Sequence, residues 1–194
     1  MPIFSALSLA PIYAITNLSE LGEDVFFDRL KIALENGLMM ILVREKQLTA
    51  EDLLLFAERV IELASPYEAK VFIHSDLHLA QALQANGVHF SGQDLMQLST
   101  KPQGLLCGAS CHNSQELAQA AALDFDYVLL SPVQATRSHA DAELLGWDVF
   151  GDLIAAYTLP VYALGGMQVV SLNAARRHGA HGVAMQRSIW GEPA

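Results

Sequence analysis

Eight short apolar runs, most of them separated by helical patterns, constrain the fold of this chain more than any other feature. The runs lie at residues 13–16, 40–44, 70–75, 87–91, 105–110, 127–133, 161–164 and 182–186. The helical patterns lie at residues 25–35, 49–64, 77–85, 113–123, 148–157 and 169–178. Regular alternation of strands and helices indicates a parallel sheet with right-handed crossovers. Eight strands favour a closed barrel over an open sheet.

The predicted fold class is therefore α/β, a single compact (β/α)8 TIM barrel with short connections. We assign one domain to residues 1–194, with the barrel proper at about residues 12–190. Parallel strands are covered on both faces, which accounts for the hydrophobic content of 52%. The crossover at residues 93–104 contains Pro102 and little helical pattern, so we expect its helix to be short or missing.

The charge and the cysteine content restrict the partners and the setting of the protein. A net charge of −10 repels nucleic acid and anionic membranes, so neither is an expected partner. No apolar stretch reaches the roughly 18 residues of a membrane span, and the apolar start lacks the basic segment of a secretory signal. The two cysteines, Cys107 and Cys111, suit a reduced cytoplasmic setting. The sequence leaves a homodimer open.

Polar side chains recur where the predicted strands end. In a barrel of this kind the ligand site is formed by the carboxyl ends of the strands and the loops that follow them. Reading each run to its end gives Arg44–Lys46, His74–Asp76, Gln93–Asp94, Ser110–Asn113, Thr136–His139, Gly165–Gly166 and Gln186–Ser188. This repetition predicts one polar site at one end of the barrel.

The strongest local signal is the pair of loops after the last two strands. Gly165 and Gly166 follow the seventh strand, and Gln186 and Arg187 follow the eighth. Glycines allow the backbone to approach a phosphate closely, and loops seven and eight are the usual phosphate site of this fold. We therefore predict a phosphorylated small molecule as the ligand. The alternative is that Gly165-Gly166 is only a tight turn.

Arg44 and Lys46 suggest a second anionic site. They are two residues apart at the end of an extended strand, so both side chains point the same way. Two cations suit a diphosphate or a carboxylate, although a salt bridge with Glu45 or another neighbour is the alternative. Asp94 could hold Mg²⁺ or equally could cap the next turn.

His112 is the candidate for general acid/base catalysis. It lies at a strand end, and the ordinary pKa of histidine is close to neutrality. His74 and His139 are weaker candidates of the same kind. We interpret the remaining histidines as surface or packing residues: His78, His89, His178 and His181.

These motifs, in this order, resemble the thiamine-phosphate synthase/TenI family over about residues 12–190. The motifs are Arg44-Glu45-Lys46, Gly87-Val88-His89, Ser110-Cys111-His112, the Thr136/Ser138 loop, Ala163–Met167 and Gly182-Val183-Ala184. The stretch around Trp147 and the ending Gln186–Trp190 are most similar to the synthase-like domain fused to Nudix hydrolases, here in a stand-alone form.

The resemblance implies roles for these residues. Family synthases join a hydroxymethylpyrimidine diphosphate to a thiazole phosphate with Mg²⁺. By position, Arg44 and Lys46 would contact the diphosphate, and Asp94 would be a metal ligand. The thiazole phosphate would lie among Thr136, Ser138, Gly165 and Gly166, with Ser110, Gln186 and Arg187 also at the site. TenI-type relatives tautomerise a thiazole carboxylate phosphate without metal, and their catalytic histidine matches His112.

The chain departs from the synthase pattern at several of these positions. It has Leu42 in place of a glutamine that contacts the pyrimidine, His74-Ser75 in place of Asn-Asp, and His139 in place of a lysine. Arg187 stands where a serine usually donates to the thiazole phosphate. The loss of a carboxylate and a lysine weakens a magnesium–diphosphate site.

Three hypotheses follow from the sequence. The first is a TenI-like isomerase that uses His112 and no metal. The second is a divergent synthase, which alone would require Mg²⁺ as a cofactor. The third is a binding module that holds thiamine-related phosphates without turnover.

Overall fold

Eight parallel strands close into a barrel in the computed structural model, which describes residues 9–136 and 143–191. The strands are β1 (Ile12–Ile15), β2 (Met40–Val43), β3 (Lys70–His74), β4 (Gly87–Phe90), β5 (Leu106–Cys111), β6 (Tyr127–Leu130), β7 (Val161–Ala163) and β8 (Gly182–Met185). Neighbours in sequence pair with each other, and β8 pairs with β1 to close the sheet. The predicted fold class is confirmed.

Helices connect the strands and cover the outside of the barrel. They are α1 (Leu18–Leu21), α2 (Glu23–Glu35), α3 (Ala50–Ala64), α4 (Leu77–Ala82), α5 (Gly92–Gln97), α6 (Ser114–Ala122), α7 (Gly146–Ile154) and α8 (Leu172–Arg177). Short 3₁₀ helices lie at Ser65–Tyr67, Val169–Ser171 and Ser188–Trp190. The crossover between β4 and β5 contains only the six-residue α5, as its sequence predicts. Within the described ranges, no helix is long and apolar enough to cross a membrane.

Two helix starts are fixed by side-chain caps. The Thr49 hydroxyl accepts a hydrogen bond from the Asp52 amide at 3.2 Å, before α3. The Asn113 side chain accepts one from the Glu116 amide at 2.9 Å, before α6. Each cap satisfies a backbone donor that the first helical turn leaves without a partner.

The side chains of each strand alternate between two apolar environments. Outward-facing residues such as Ile41, Val43 and Val128 pack against the helices. Cys107 and Cys111 lie on this face of β5 and are buried, unpaired thiols. Inward-facing residues form a separate cluster inside the barrel: Tyr13, Ile15, Met40, Leu42, Phe72, Tyr127, Leu129, Tyr162 and Ala184.

Glycines make room for the large rings inside the barrel. A Cβ at Gly108 would overlap the Tyr127 ring, and one at Gly87 would lie 2.6 Å from the Phe72 ring. The rings of Tyr13, Phe72 and Tyr127 meet edge to face, with centroids 5.4–5.6 Å apart. Large and small side chains on neighbouring strands therefore fill the barrel interior.

Candidate functional site

A cavity of about 550 Å³ opens at the carboxyl ends of the strands. The inward-facing alternation continues to the last residues of each strand and just beyond, so Ser110 within β5, Arg44 after β2 and Gln186 after β8 all line this space. The volume suits a small metabolite. The cavity brings together most of the site residues predicted from sequence: Arg44, Lys46, Ser110, His112, Thr136, Gly165, Gly166, Gln186 and Arg187.

The remaining predicted positions are not part of this lining. Ser138 and His139 lie outside the described residues. Asp94 lies in α5, beside the cavity but not among the residues that form its wall. Leu42 and His74, the two described positions at which the chain departs most clearly from the synthase pattern, do line the cavity.

The loops after β7 and β8 line the cavity with residues whose backbone N–H groups are available as donors. The N–H groups of Gly166, Met167 and Ser188 make no hydrogen bond to any residue that the structure describes. The Ser188 hydroxyl donates to the Met167 carbonyl at 2.6 Å and so holds the two loops together. Backbone N–H groups arranged in this way are ligands for phosphoryl oxygens.

The Gly165-Gly166 turn requires glycine at both positions. Their φ angles are 96° and 66°, in the left-handed region that side chains disfavour. A Cβ at Gly166 would lie 2.6 Å from the Ala135 carbonyl oxygen, and one at Gly165 would lie 3.0 Å from Pro132. The turn is therefore packed tightly against the loop that follows β6.

Arg187 is held at the edge of the cavity by Glu20. Its Nε and Nη2 donate to the Glu20 carboxylate at distances of 2.6–3.0 Å, and its side chain is 13% exposed. The guanidinium therefore joins the β8 loop to α1, the first element after β1. This bidentate pair fixes the position of a cation near the amides of the β8 loop.

Arg44 and Lys46 contribute two more cations to the cavity wall. Neither side chain forms an ion pair with a carboxylate in the described part of the chain. The predicted alternative, a salt bridge with Glu45, is not formed. Glu45 is buried away from the cavity wall and accepts hydrogen bonds from the Leu18 amide and the Gln47 side chain. Burial lowers the pKa of Arg44, while Glu45 opposes that shift.

His112 lies at the cavity wall with its imidazole oriented by Glu116. The Glu116 carboxylate accepts from the His112 backbone amide at 2.6 Å and lies 3.1 Å from Nδ1. A carboxylate only accepts, so this contact favours the tautomer with the proton on Nδ1. Nε2 then carries the lone pair, and the side chain is 48% exposed. These properties suit a proton acceptor.

Asp94 makes hydrogen bonds that join two loops. Its Oδ2 accepts from the hydroxyls of Ser75 and Ser91, each at 2.6 Å, which connects the loop after β3 to the loop after β4. These two bonds lower the pKa of the Asp94 carboxyl. The described residues contain no group of three histidine, cysteine or acidic side chains that could hold a metal ion. A metal ion at Asp94 would therefore need ligands beyond these side chains, such as water or the phosphoryl oxygens of a ligand.

A buried polar chain leads from the barrel interior to the cavity, and sequence reasoning missed it. The Tyr13 and Tyr127 hydroxyls are 2.8 Å apart, and the Tyr127 hydroxyl lies 3.2 Å from His89 Nδ1. His89 Nε2 lies 3.0 Å from the Ser110 hydroxyl, which faces the cavity. His89 was expected to be a surface or packing residue, but it is fully buried in this chain of hydrogen bonds.

Both interior histidines at this end of the barrel favour the neutral form. Burial, with Arg44 and Lys46 nearby, lowers the pKa of His74 to about 4. Burial also holds the pKa of His89 well below its ordinary value. An imidazolium at either position would be poorly solvated and close to other positive charge.

We expect these histidines to make stability depend on pH below neutrality. The unfolded chain binds protons below about pH 6.5, whereas folded His74 binds one only near pH 4. The free energy of unfolding should therefore fall as pH decreases through this window, by up to about 1.4 kcal/mol per pH unit for each histidine. Urea denaturation at several pH values measures the slope. The His74→Asn variant should have a shallower slope, and an unchanged slope would contradict the prediction.

Comparisons with known proteins agree with the fold and identify the family. A model of the thiamine monophosphate synthase family matches residues 12–189. A protein named putative thiamine-phosphate synthase 2, from Aquifex aeolicus, is 31% identical over 180 residues, which are 92% of this chain and 96% of that protein. A thiamine-phosphate synthase from Methanoculleus marisnigri is 34% identical over 169 residues, with coverages of 85% and 80%.

Solved structures show the same architecture. Thiamine phosphate pyrophosphorylase from Pyrococcus furiosus superposes with a TM-score of 0.78 at 23% identity, over 93% of this chain and 87% of that one. Fold and cavity thus define a (β/α)8-barrel protein with a small-molecule-sized site at the carboxyl ends of its strands. The family model and the relatives show which family of barrel proteins this is. This chain belongs to the thiamine monophosphate synthase family.

Proposed function

We propose that the cavity binds a phosphorylated thiazole or a related thiamine precursor, with the phosphoryl group on the loops after β7 and β8. The observation that carries the proposal is the set of N–H groups at Gly166, Met167 and Ser188, which have no hydrogen-bond partner among the described residues. The chain is strongly acidic overall, yet Arg44 and Lys46 line this cavity without an ion-pair partner in the described part of the chain, whereas Arg187 is paired with Glu20. Local positive charge and backbone donors together favour an anionic ligand.

The chemistry that the side chains support best is a proton transfer without a metal ion. His112 Nε2 would remove a proton from one position of the ligand's ring, and the imidazolium would return it to another. The ligand is isomerised, and its composition does not change. Glu116 supports this role because its carboxylate orients the ring through Nδ1 and stabilises the imidazolium that forms in between.

A synthase is the second candidate, and the names of the relatives favour it. Arg44 and Lys46 would then neutralise a diphosphate leaving group. Asp94 would be the residue that holds Mg²⁺ in that case, although its Oδ2 also accepts hydrogen bonds from Ser75 and Ser91.

One preparation can distinguish these candidates. The protein is incubated with thiazole carboxylate phosphate, and separately with thiazole phosphate, hydroxymethylpyrimidine diphosphate and Mg²⁺. We expect isomerisation in the first mixture, unaffected by EDTA. Formation of thiamine phosphate in the second, abolished by EDTA, would establish the synthase instead. Calorimetric binding without turnover in either mixture would indicate a binding module, and no binding would refute the proposal.

The Gly166→Ala variant should weaken binding of the phosphorylated ligand by at least about tenfold, because the added methyl group would displace a donor loop by colliding with the Ala135 carbonyl. Gly104→Ala is the matched control. Gly104 also has a positive φ, of 84°, but a Cβ there would meet nothing within 4 Å. Both variants carry similar backbone strain, so equal affinities in calorimetry would contradict the predicted phosphate site.

A further inference from the structure

The buried chain from Tyr13 to Ser110 has a direction that can be worked out by counting donors. Four groups take part: the hydroxyls of Tyr13, Tyr127 and Ser110, and the imidazole of His89. Tyr13, Tyr127 and His89 are fully buried. Burial raises the pKa of both tyrosines and lowers that of His89, so all three are neutral. Each tyrosine then has one proton to donate, and His89 has one N–H.

Only one arrangement gives every buried donor an acceptor. Tyr13 has no polar contact other than Tyr127 among the described residues, so its O–H must donate to Tyr127. The Tyr127 O–H must then donate to Nδ1 of His89, its only other polar contact within the described ranges. His89 therefore carries its proton on Nε2 and donates it to the Ser110 hydroxyl.

The two other arrangements each leave a buried hydroxyl without an acceptor. If Tyr127 donated to Tyr13, the Tyr13 proton would have no acceptor among the described residues. If His89 carried its proton on Nδ1, both Tyr13 and His89 would donate to Tyr127, and the Tyr127 proton would be left over. A buried donor without an acceptor loses its hydrogen bond with water and gains none within the protein, so these arrangements are disfavoured.

We propose that His89 is a positioning residue that holds Ser110 as a hydrogen-bond donor to the ligand. The Ser110 oxygen accepts from His89, and its own proton has no acceptor in the described structure and faces the cavity. The site therefore selects a ligand with an acceptor atom at this point, such as a carboxylate, phosphoryl or ring nitrogen lone pair. The class of ligand rests on the proposed function, whereas the direction of the hydrogen bonds from Tyr13 to Ser110 does not.

Histidine ¹⁵N NMR of the ligand-free protein tests the direction first. His89 should show a protonated Nε2 and an unprotonated Nδ1, with no change between pH 8 and pH 5.5. Its resonances are identified by their loss in the His89→Asn variant. The opposite tautomer, or an imidazolium in this pH range, would overturn the proposal. This result stands whether or not the protein binds a thiamine-related ligand.

Calorimetry with thiamine phosphate as the probe tests the effect on the ligand. Ser110→Ala and Tyr127→Phe should each weaken binding about 3- to 10-fold, which corresponds to one hydrogen bond. The double variant should bind no more weakly than Ser110→Ala alone, because Tyr127 acts only through Ser110. Additive losses would overturn the proposal.

Two further tyrosines serve as matched controls. Tyr162 is another inward-facing tyrosine, but its hydroxyl donates to the Ala10 carbonyl and takes no part in the hydrogen bonds from Tyr13 to Ser110. Tyr162→Phe should leave affinity within about twofold. Tyr13→Phe should also have little effect, because Tyr127 keeps its proton for His89. If wild-type protein does not bind the probe, the proposed function fails, and the NMR result alone decides the direction of the chain.

Discussion

The His112→Asn variant is expected to lose turnover of thiazole carboxylate phosphate by about 10²- to 10⁴-fold, the usual contribution of a general acid/base. Asparagine retains a polar side chain of similar reach but cannot exchange a proton at neutral pH. The affinity for the ligand should change little, because the phosphoryl contacts come from the loops after β7 and β8. Steady-state rates and calorimetry on the same preparation separate the two effects.

His178→Asn is the matched control for this variant. His178 follows α8, where its ring stacks on Trp147 at a centroid distance of 5.4 Å, and it is not part of the cavity wall. The same substitution there should leave turnover intact. Turnover within tenfold of wild type in His112→Asn would remove the proposed acid/base role, even if the ligand still binds.

The Gly108→Ala variant is expected to have the largest effect on stability, a loss of about 3 kcal/mol or more in the free energy of unfolding. A methyl group at this position of β5 would occupy the space of the Tyr127 ring and hydroxyl. That ring contacts Tyr13, Phe72 and Tyr162 inside the barrel, so it cannot move aside without disturbing the whole layer. Urea denaturation measures the change.

Gly151→Ala is the control for the same substitution in a different environment. Gly151 lies in α7, and a Cβ there would make ordinary contact with the His178 carbonyl at 3.4 Å. Alanine is favoured over glycine within a helix by up to about 1 kcal/mol, so this variant should be as stable as wild type or more so. Equal destabilisation of both variants would contradict the tight packing of the Tyr127 ring against Gly108.

The barrel could be predicted because each strand is a continuous apolar run followed by a helical pattern. A continuous apolar run, however, does not show which way each side chain points. Both faces of a parallel strand are buried, so apolarity does not indicate which residues face the barrel interior. His89 was therefore grouped with surface or packing residues, although it lies two positions before Ser91 and on the same inward-facing series. Its partners Tyr13 and Tyr127 are distant in sequence.

The cavity was easier to predict than the contacts within it. Polar residues at strand ends converge wherever a parallel barrel closes, which is why Arg44, Ser110 and Gln186 were found from sequence alone. The pairing of Arg187 with Glu20 could not be predicted, since the two residues are 167 positions apart and meet only when β8 pairs with β1. The hydrogen bonds of Asp94 with Ser75 and Ser91 could likewise not be predicted, because they join two separate loops.

The most direct test of the account is a ¹H–¹⁵N NMR titration with thiazole phosphate and with the unphosphorylated thiazole alcohol. If the loops after β7 and β8 bind the phosphoryl group, the amides of Gly166, Met167 and Ser188 should shift strongly with the phosphate and hardly at all with the alcohol. Strong shifts confined to residues near Arg44 and Lys46 would contradict this assignment, because they would place the phosphoryl group at the end of β2 instead.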